Sequence, residues 1–284
     1  MATDLLDLLP QYSPWPARLL GVDPWKGRKK IASELMREFE DEKWGPLWAA
    51  VSSSGRRVGI EDVEKIVFDD GKEIMCWAQN RLQLMSTKDA RTMQLALIAS
   101  TLKTVQPCAS VVEIGAGYGQ IILNLAKDPD FENADLMAAE YTQSGVKLMD
   151  HLVGSKNIKL TTAHCDLSAT PIIDMEIPEG SILFTSYAAH YVPAYTSAVI
   201  DRLSALKPAM VVHFEPVYEH CDGATLLGLM QKRYIQTNDY NQNLLSIIHG
   251  ERDKGKIEVT IEERQVFGMN PLLPMSIVAW RPSR

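Results

Sequence analysis

Cysteine is scarce and widely scattered. Only four occur among 284 residues, at Cys76, Cys108, Cys165 and Cys221. No CxxC pair and no metal-ligand spacing exists, which argues against a disulfide scaffold or a zinc module and predicts reduced, mostly buried thiols in a cytoplasmic protein. No metal site is expected. Positive charge is also short: the formal net charge is -7, a poor match for a nucleic-acid partner, which usually demands a basic surface. Long hydrophobic runs are missing, since no stretch approaches the ~20 apolar residues of a membrane span. Asp4 and Asp7 stand where a signal peptide would want positive charge. Neither membrane insertion nor export is expected. What the chain does have is apolar material, 46% of residues, enough for the core of one α/β domain with an elaboration or of two small domains.

The most informative stretch is Glu113-Ile114-Gly115-Ala116-Gly117-Tyr118-Gly119. Before it, Ser110-Val111-Val112 reads as the start of a buried strand, and after it Gln120–Ala126 reads as a helix. A strand passing through glycines into a helix lets backbone approach a ligand closely. Glu140 closes a second apolar run about twenty residues on, where a doubly wound sheet places the carboxylate that grips ribose hydroxyls. A nucleoside-containing cofactor follows. A dinucleotide loop wants glycine at the sixth position of GxGxxG, and Gln120 stands there, with the third glycine one residue early at Gly119.

The string resembles the acidic-x-Gly-x-Gly-x-Gly signature of class I S-adenosylmethionine (SAM)-dependent methyltransferases, and the resemblance covers roughly residues 107 to 282. It implies an α/β fold, a Rossmann-like seven-stranded sheet with an N-terminal helical cap, and SAM as cofactor. By this resemblance Glu113 orients the methionine end, Gly115, Gly117 and Gly119 make room for the cofactor, Glu140 holds the ribose, and Asp166 lies beside the adenine. A glycine-rich turn of NAD type, or one with no catalytic role, is the alternative.

The organisation changes near Gln106-Pro107, which divides the chain into residues 1–106 and 107–284. Everything before it reads as helices and turns. Ile31, Leu35 and Phe39 recur at helical spacing, further helices are predicted over about Glu61–Phe68 and Lys72–Leu84, and Ser86-Thr87-Lys88-Asp89 looks like a capping box. This part resembles the helical cap of small-molecule methyltransferases, and it also reads as an arm for homodimerisation. After residue 110 strands and helices alternate, the mark of a largely parallel sheet. Strands are predicted near 111–115, 136–140, 158–165, 181–187 and 209–215, with a closing antiparallel hairpin near 256–266 and 274–281. Helices are predicted near 119–127, 142–153, 194–206 and 223–236. The polar aromatic segment between Cys221 and Gly255 is expected to fold over the pocket.

Reaction chemistry is expected at the carboxyl ends of the fourth and fifth strands of this sheet. The first of these ends in Thr185-Ser186-Tyr187-Ala188-Ala189-His190-Tyr191. His190 is the candidate general base, and Tyr187 and Tyr191 are candidates to face a sulfonium cation; all three also read as packing residues. The next strand ends in His213-Phe214-Glu215-Pro216-Val217-Tyr218-Glu219-His220, where Glu215 is the candidate partner of a substrate or cofactor amine. An Asn-Pro-Pro-Tyr motif is absent, which lowers the case for nucleobase or glutamine methylation. Two reactions stay open: methyl transfer to an O or N atom of a small metabolite, and chemistry on the aminobutyrate arm of SAM. A special case of the second is cyclisation of SAM to azetidine-2-carboxylate with release of methylthioadenosine. The segments Glu215–Glu219 and Asn238–Asn241 look similar to the azetidine-2-carboxylate-forming members of the family.

Overall fold

The computed structural model describes residues 5–105, 108, 110–156, 158–193 and 195–283. Asp4 and the boundary at Gln106-Pro107 lie outside them.

The chain opens with α1 (Leu5–Tyr12), α2 (Trp15–Leu19) and α3 (Ala32–Met36), then a π-helical stretch Arg37–Trp44, α4 (Gly45–Ser52) and α5 (Ile60–Val67). Next comes a hairpin of β1 (Glu73–Ala78) and β2 (Arg81–Ser86), followed by α6 (Thr87–Lys103). The alternating part runs β3 (Ser110–Ile114), α7 (Gln120–Leu125), β4 (Asp135–Glu140), α8 (Gln143–Lys156), β5 (Leu160–His164), β6 (Ile182–Ser186), α9 (Ser197–Ala205) and β7 (Met210–Pro216). It closes with α10 (Leu226–Thr237), α11 (Leu244–Asp253), β8 (Ile257–Gly268) and β9 (Met275–Pro282).

The strands form one sheet in the order β2-β1-β8-β9-β7-β6-β3-β4-β5. β3 to β7 pair in parallel, whereas β9 runs antiparallel to both β7 and β8. The expected closing hairpin is therefore present. The sheet is nine-stranded, not seven-stranded. The two extra strands come from the first hundred residues, where β1 and β2 replace the helix expected over Lys72–Leu84, and β1 pairs with the edge of β8. The helical periodicity of Ile31, Leu35 and Phe39 survives only as the short α3 and the π-helical stretch. Ser86 does cap α6, its hydroxyl accepting from the Asp89 N–H at 3.1 Å.

Period-two alternation along the buried strands divides the core between the two faces of the sheet. Val111 packs with Ile98 and Leu102 of α6, Ile122 of α7 and Leu148 of α8. Val112 and Ile114 pack with Val199 and Leu203 of α9 and Leu244 and Ile248 of α11. No helix among the described residues is long and apolar enough to cross a membrane. Chain direction across the sheet reverses between β3, which leads outward to β4, and β6, which leads outward to β7. A crevice opens at such a switch point, beyond the carboxyl ends of the strands.

Candidate active site

β3 is buried along its whole length and ends at Ile114, just before Gly115. Gly115, Gly117 and Gly119 take φ values of 78°, 59° and 83°, the left-handed region that favours glycine. At all three of them space is also closed: a Cβ on Gly115 would lie 2.4 Å from the Ala188 Cβ, one on Gly117 3.0 Å from Trp44 Cζ2, and one on Gly119 3.0 Å from Met149 Cγ. The loop is held from the neighbouring strand. The N–H groups of Gly115 and Ala116 donate to the Ala139 carbonyl at 2.8 and 3.0 Å. The Glu140 carboxylate accepts from the Gly117 N–H at 2.9 Å, the Thr142 N–H at 3.1 Å and the Thr142 hydroxyl at 2.8 Å. Of the roughly four acceptor positions of a carboxylate, these leave room for a further hydroxyl donor.

Glu113 shares the Val111 face of β3 and accepts from the Ile122 N–H of α7 at 3.0 Å. Burial pushes its carboxyl up to about 8; the Ile122 N–H opposes the shift, and the Glu140 charge adds to it. Asp166, just beyond β5, accepts from the Ser168 N–H at 2.7 Å and the Ser168 hydroxyl at 2.6 Å. Glu113, Gly115, Gly117, Glu140, Tyr141 and Asp166 all line one cavity of about 550 Å³. Gly119 is not among its described lining residues; it sits one step behind, at the N-cap of α7.

The opposite wall comes from the end of β6. Tyr187 and Tyr191 line the cavity, together with Ser186 and Ala188. Tyr187 is held at φ 51°, with its hydroxyl donating to the Leu273 carbonyl at 3.1 Å. Burial raises the phenol pKa of both tyrosines. His190 and Glu215 are placed differently from the expectation. Neither is among the described residues that line the cavity. Glu215, fully buried, accepts from the Ala188 and Ala189 N–H groups at 2.8 Å each, from the His190 N–H at 3.3 Å, and meets His190 Nδ1 at 3.0 Å. Four such contacts use the carboxylate up, so Glu215 anchors the Tyr187–Tyr191 turn and has nothing left for a substrate amine. Burial alone would raise its pKa, but the His190 bond and charge, with the Ala188 and Ala189 N–H groups, hold it below the usual carboxylate value. The His190 ring is packed among Tyr191, Tyr240 and Tyr187, with centroids 4.1, 4.8 and 5.9 Å away. Among the described residues, no group of three His, Cys, Asp or Glu side chains is arranged to hold a metal ion.

The roof was not legible in the sequence beyond the periodicity of Leu35 and Phe39. These two residues, with Lys30 and Trp44, line the cavity from the N-terminal segment. Glu40 of the π-helical stretch accepts from the Ser144 N–H at 3.0 Å and bonds its hydroxyl, tying the roof to the start of α8. The Lys30 N–H donates to Asp239 at 2.9 Å, a second tie, to the loop after α10. Residues 221–255 are not among the described lining residues. Contrary to expectation they back the wall, through Tyr240, and do not roof the pocket.

No family model matches the chain, and no curated protein matches it in sequence. Similarity to solved structures is extensive. A magnesium protoporphyrin IX methyltransferase from Synechocystis PCC 6803, with bound SAH, shares 13% identity at a TM-score of 0.53, over 88% of this chain and 100% of that one. The 4+2 cyclase SpnF shares 10% identity at a TM-score of 0.53, over 91% of this chain and 98% of that one. Likeness at this level concerns the backbone, and the backbone of this chain is that of the α/β fold of SAM-dependent methyltransferases.

Proposed function

We propose that this chain is a SAM-dependent transferase that moves a methyl group to an O or N atom of a small metabolite. One observation carries the reading: Glu113, the glycine loop, Glu140 and Asp166, far apart in sequence, converge on one cavity at the switch point of the sheet. The cavity's volume falls in the range of sites for cofactor-sized ligands. Its residues fit the cofactor: all three loop glycines stand where a Cβ would crowd a neighbour, Gly115 and Gly117 in the cavity lining itself, and Glu140 retains acceptor capacity for a ribose hydroxyl.

When bound, the cofactor supplies a methyl group already activated by positive sulfur. The chain's own residues do the rest. Glu140 and Asp166 take the ribose and adenine end, and Glu113 faces the amino-acid arm. Tyr187 and Tyr191 present ring faces that favour a cation. Leu35, Phe39 and Trp44 exclude water from the reacting atoms, and the closed wall fixes their approach, the two contributions that proximity and a dry site make. His190 and Glu215 act here as supports of the tyrosine turn. Residues 107–284 form the cofactor-binding part and residues 1–106 the cap, with the β1–β2 hairpin extending the sheet. The acidic net charge of -7 supports a small-molecule acceptor over nucleic acid.

The test is the nucleoside product. Purified protein is incubated with SAM, with and without a set of small hydroxyl and amine acceptors, and the nucleosides are identified by mass spectrometry. S-Adenosylhomocysteine formed only when an acceptor is present is the expected result. Methylthioadenosine from SAM alone would replace methyl transfer with cyclisation on the aminobutyrate arm.

A further inference from the structure

The cavity is electrically polarised. Glu113, Glu140 and Asp166 stand along its glycine-loop side, and Lys30 is the one cation among its described lining residues. Lys30 is buried, with its side chain only 5% exposed, and lies in the roof. Its ammonium donates to Glu38 Oε2 at 2.6 Å, while Lys43 donates to the other oxygen of the same carboxylate at 2.9 Å. Two ammonium groups thus share one carboxylate, and a unit of positive charge is left over. Burial is the largest single influence on the Glu38 carboxyl and pushes it up, but the two lysines together outweigh it and hold the carboxyl below its ordinary value. The Lys30 ammonium also lies over the rings of Tyr191 and Tyr240, 5.0 and 5.2 Å from their centroids. An ammonium has three N–H donors, and Glu38 is the one hydrogen-bond acceptor it meets among the described residues.

A buried, partly unsatisfied ammonium is costly. The surplus charge itself sits on Lys43, whose side chain is 41% exposed to water, but a latch for the roof alone would not need a buried ammonium with open N–H donors in the cavity wall. From the shared carboxylate, the open donors and the position in the cavity wall, we propose that Lys30 is the cationic half of a carboxylate-binding subsite. The proposal rests on reading the cavity as a SAM site, and it names what the roof end recognises there. Two molecules could bring the carboxylate. One is the cofactor, whose amino-acid arm ends in one; the other is a separate small acid bound as acceptor. The Glu140 and Asp166 side of the cavity repels either, and Lys30 is where either is attracted.

The test uses pairs of ligands that differ in the carboxylate alone, measured by calorimetry on the full chain, wild type and Lys30→Met. The first pair is SAM and decarboxylated SAM. The second is benzoate and benzamide, titrated with and without S-adenosylhomocysteine. Ratios within a pair cancel any general loss caused by a loosened roof. If Lys30 holds the cofactor's arm, wild type prefers SAM by about 10- to 100-fold, the worth of one charge-assisted hydrogen bond, and Lys30→Met loses the preference. If it holds a separate acid, the SAM ratio is unchanged in the variant and the preference for benzoate over benzamide disappears. Lys30→Arg retains the preference in either case. Lys30→Gln, with the charge removed and an amide retained, carries the same expectation as Lys30→Met should that variant unfold. Ratios that do not change on removing the charge, or a wild type without preference in either pair, overturn the proposal and leave Lys30 a roof latch. Failure of wild type to bind SAM or its decarboxylated form is a different result: it overturns the cofactor reading, while the benzoate pair still decides the subsite.

Discussion

Glu140 does two jobs at one carboxylate, accepting the Gly117 N–H that sets the loop and keeping acceptor capacity toward the cavity. Glu140→Ala therefore removes a ligand contact and frees the loop that shapes the site. Loss of a charged hydrogen-bond partner, about 1.5–3 kcal/mol, is expected to weaken SAM binding by roughly 10- to 150-fold in calorimetry. Gly117→Asp fails for a different reason, since its Cβ would press on Trp44 at a φ of 59°; unchanged affinity in both variants would contradict the loop's role. Two buried carboxyl groups should also titrate with opposite sign. Glu113 has its folded pKa raised to about 8, so the stability it contributes is present below about 4.5 and is lost as pH rises toward 8. Glu215 has its folded pKa lowered, so its contribution is present above the unfolded value and is lost as pH falls through the folded one. Denaturant unfolding of the ligand-free protein between pH 4.5 and 8 is expected to be less pH-dependent in Glu113→Gln than in wild type. Equal slopes would show that Glu113 is ionised in the folded chain.

At the level of elements, the turn from Tyr187 to Tyr191 depends on a carboxylate one strand away. Glu215→Ala leaves three backbone N–H groups and the His190 ring without their acceptor, in a fully buried place. Breaking such a buried charged network typically costs about 3–5 kcal/mol, and urea unfolding measures it. His190→Ala is then expected to reduce turnover in step with the loss of stability. A fall of about 10²–10⁴-fold at unchanged stability, the size of a lost general base, would restore His190 to the chemistry.

The sequence was most legible where local pattern and tertiary structure agree, as in the strand–glycine–helix unit at β3 and the closing pair β8–β9. It misled at residues 73–86, because the hairpin turns on Gln79-Asn80, both at positive φ, without the glycine that usually marks such a turn. The run Ile74-Met75-Cys76-Trp77 has no alternation to exclude a helix. α11 was missed because its apolar residues Leu244, Leu245, Ile247 and Ile248 follow a polar stretch that reads as loop. The π-helical roof shows in periodicity at Phe39 alone, and its tie from Glu40 to Ser144 leaves no local signal. Glu215 was read correctly as lying near the end of its strand and wrongly as a ligand, since sequence cannot show that the N–H groups of the turn after β6 fold onto it.

For the whole molecule, the doubly wound part with its switch point between β3 and β6 places the cavity, and the N-terminal segment completes it with a roof and two edge strands. A chain with this backbone that binds a dinucleotide would differ in the loop, with glycine where Gln120 stands. The central claim is that the cavity binds SAM, and calorimetric titration of the wild-type protein with SAM and with NAD tests it most directly. The account predicts one SAM site per chain and no NAD binding. Binding of NAD without binding of SAM would contradict it.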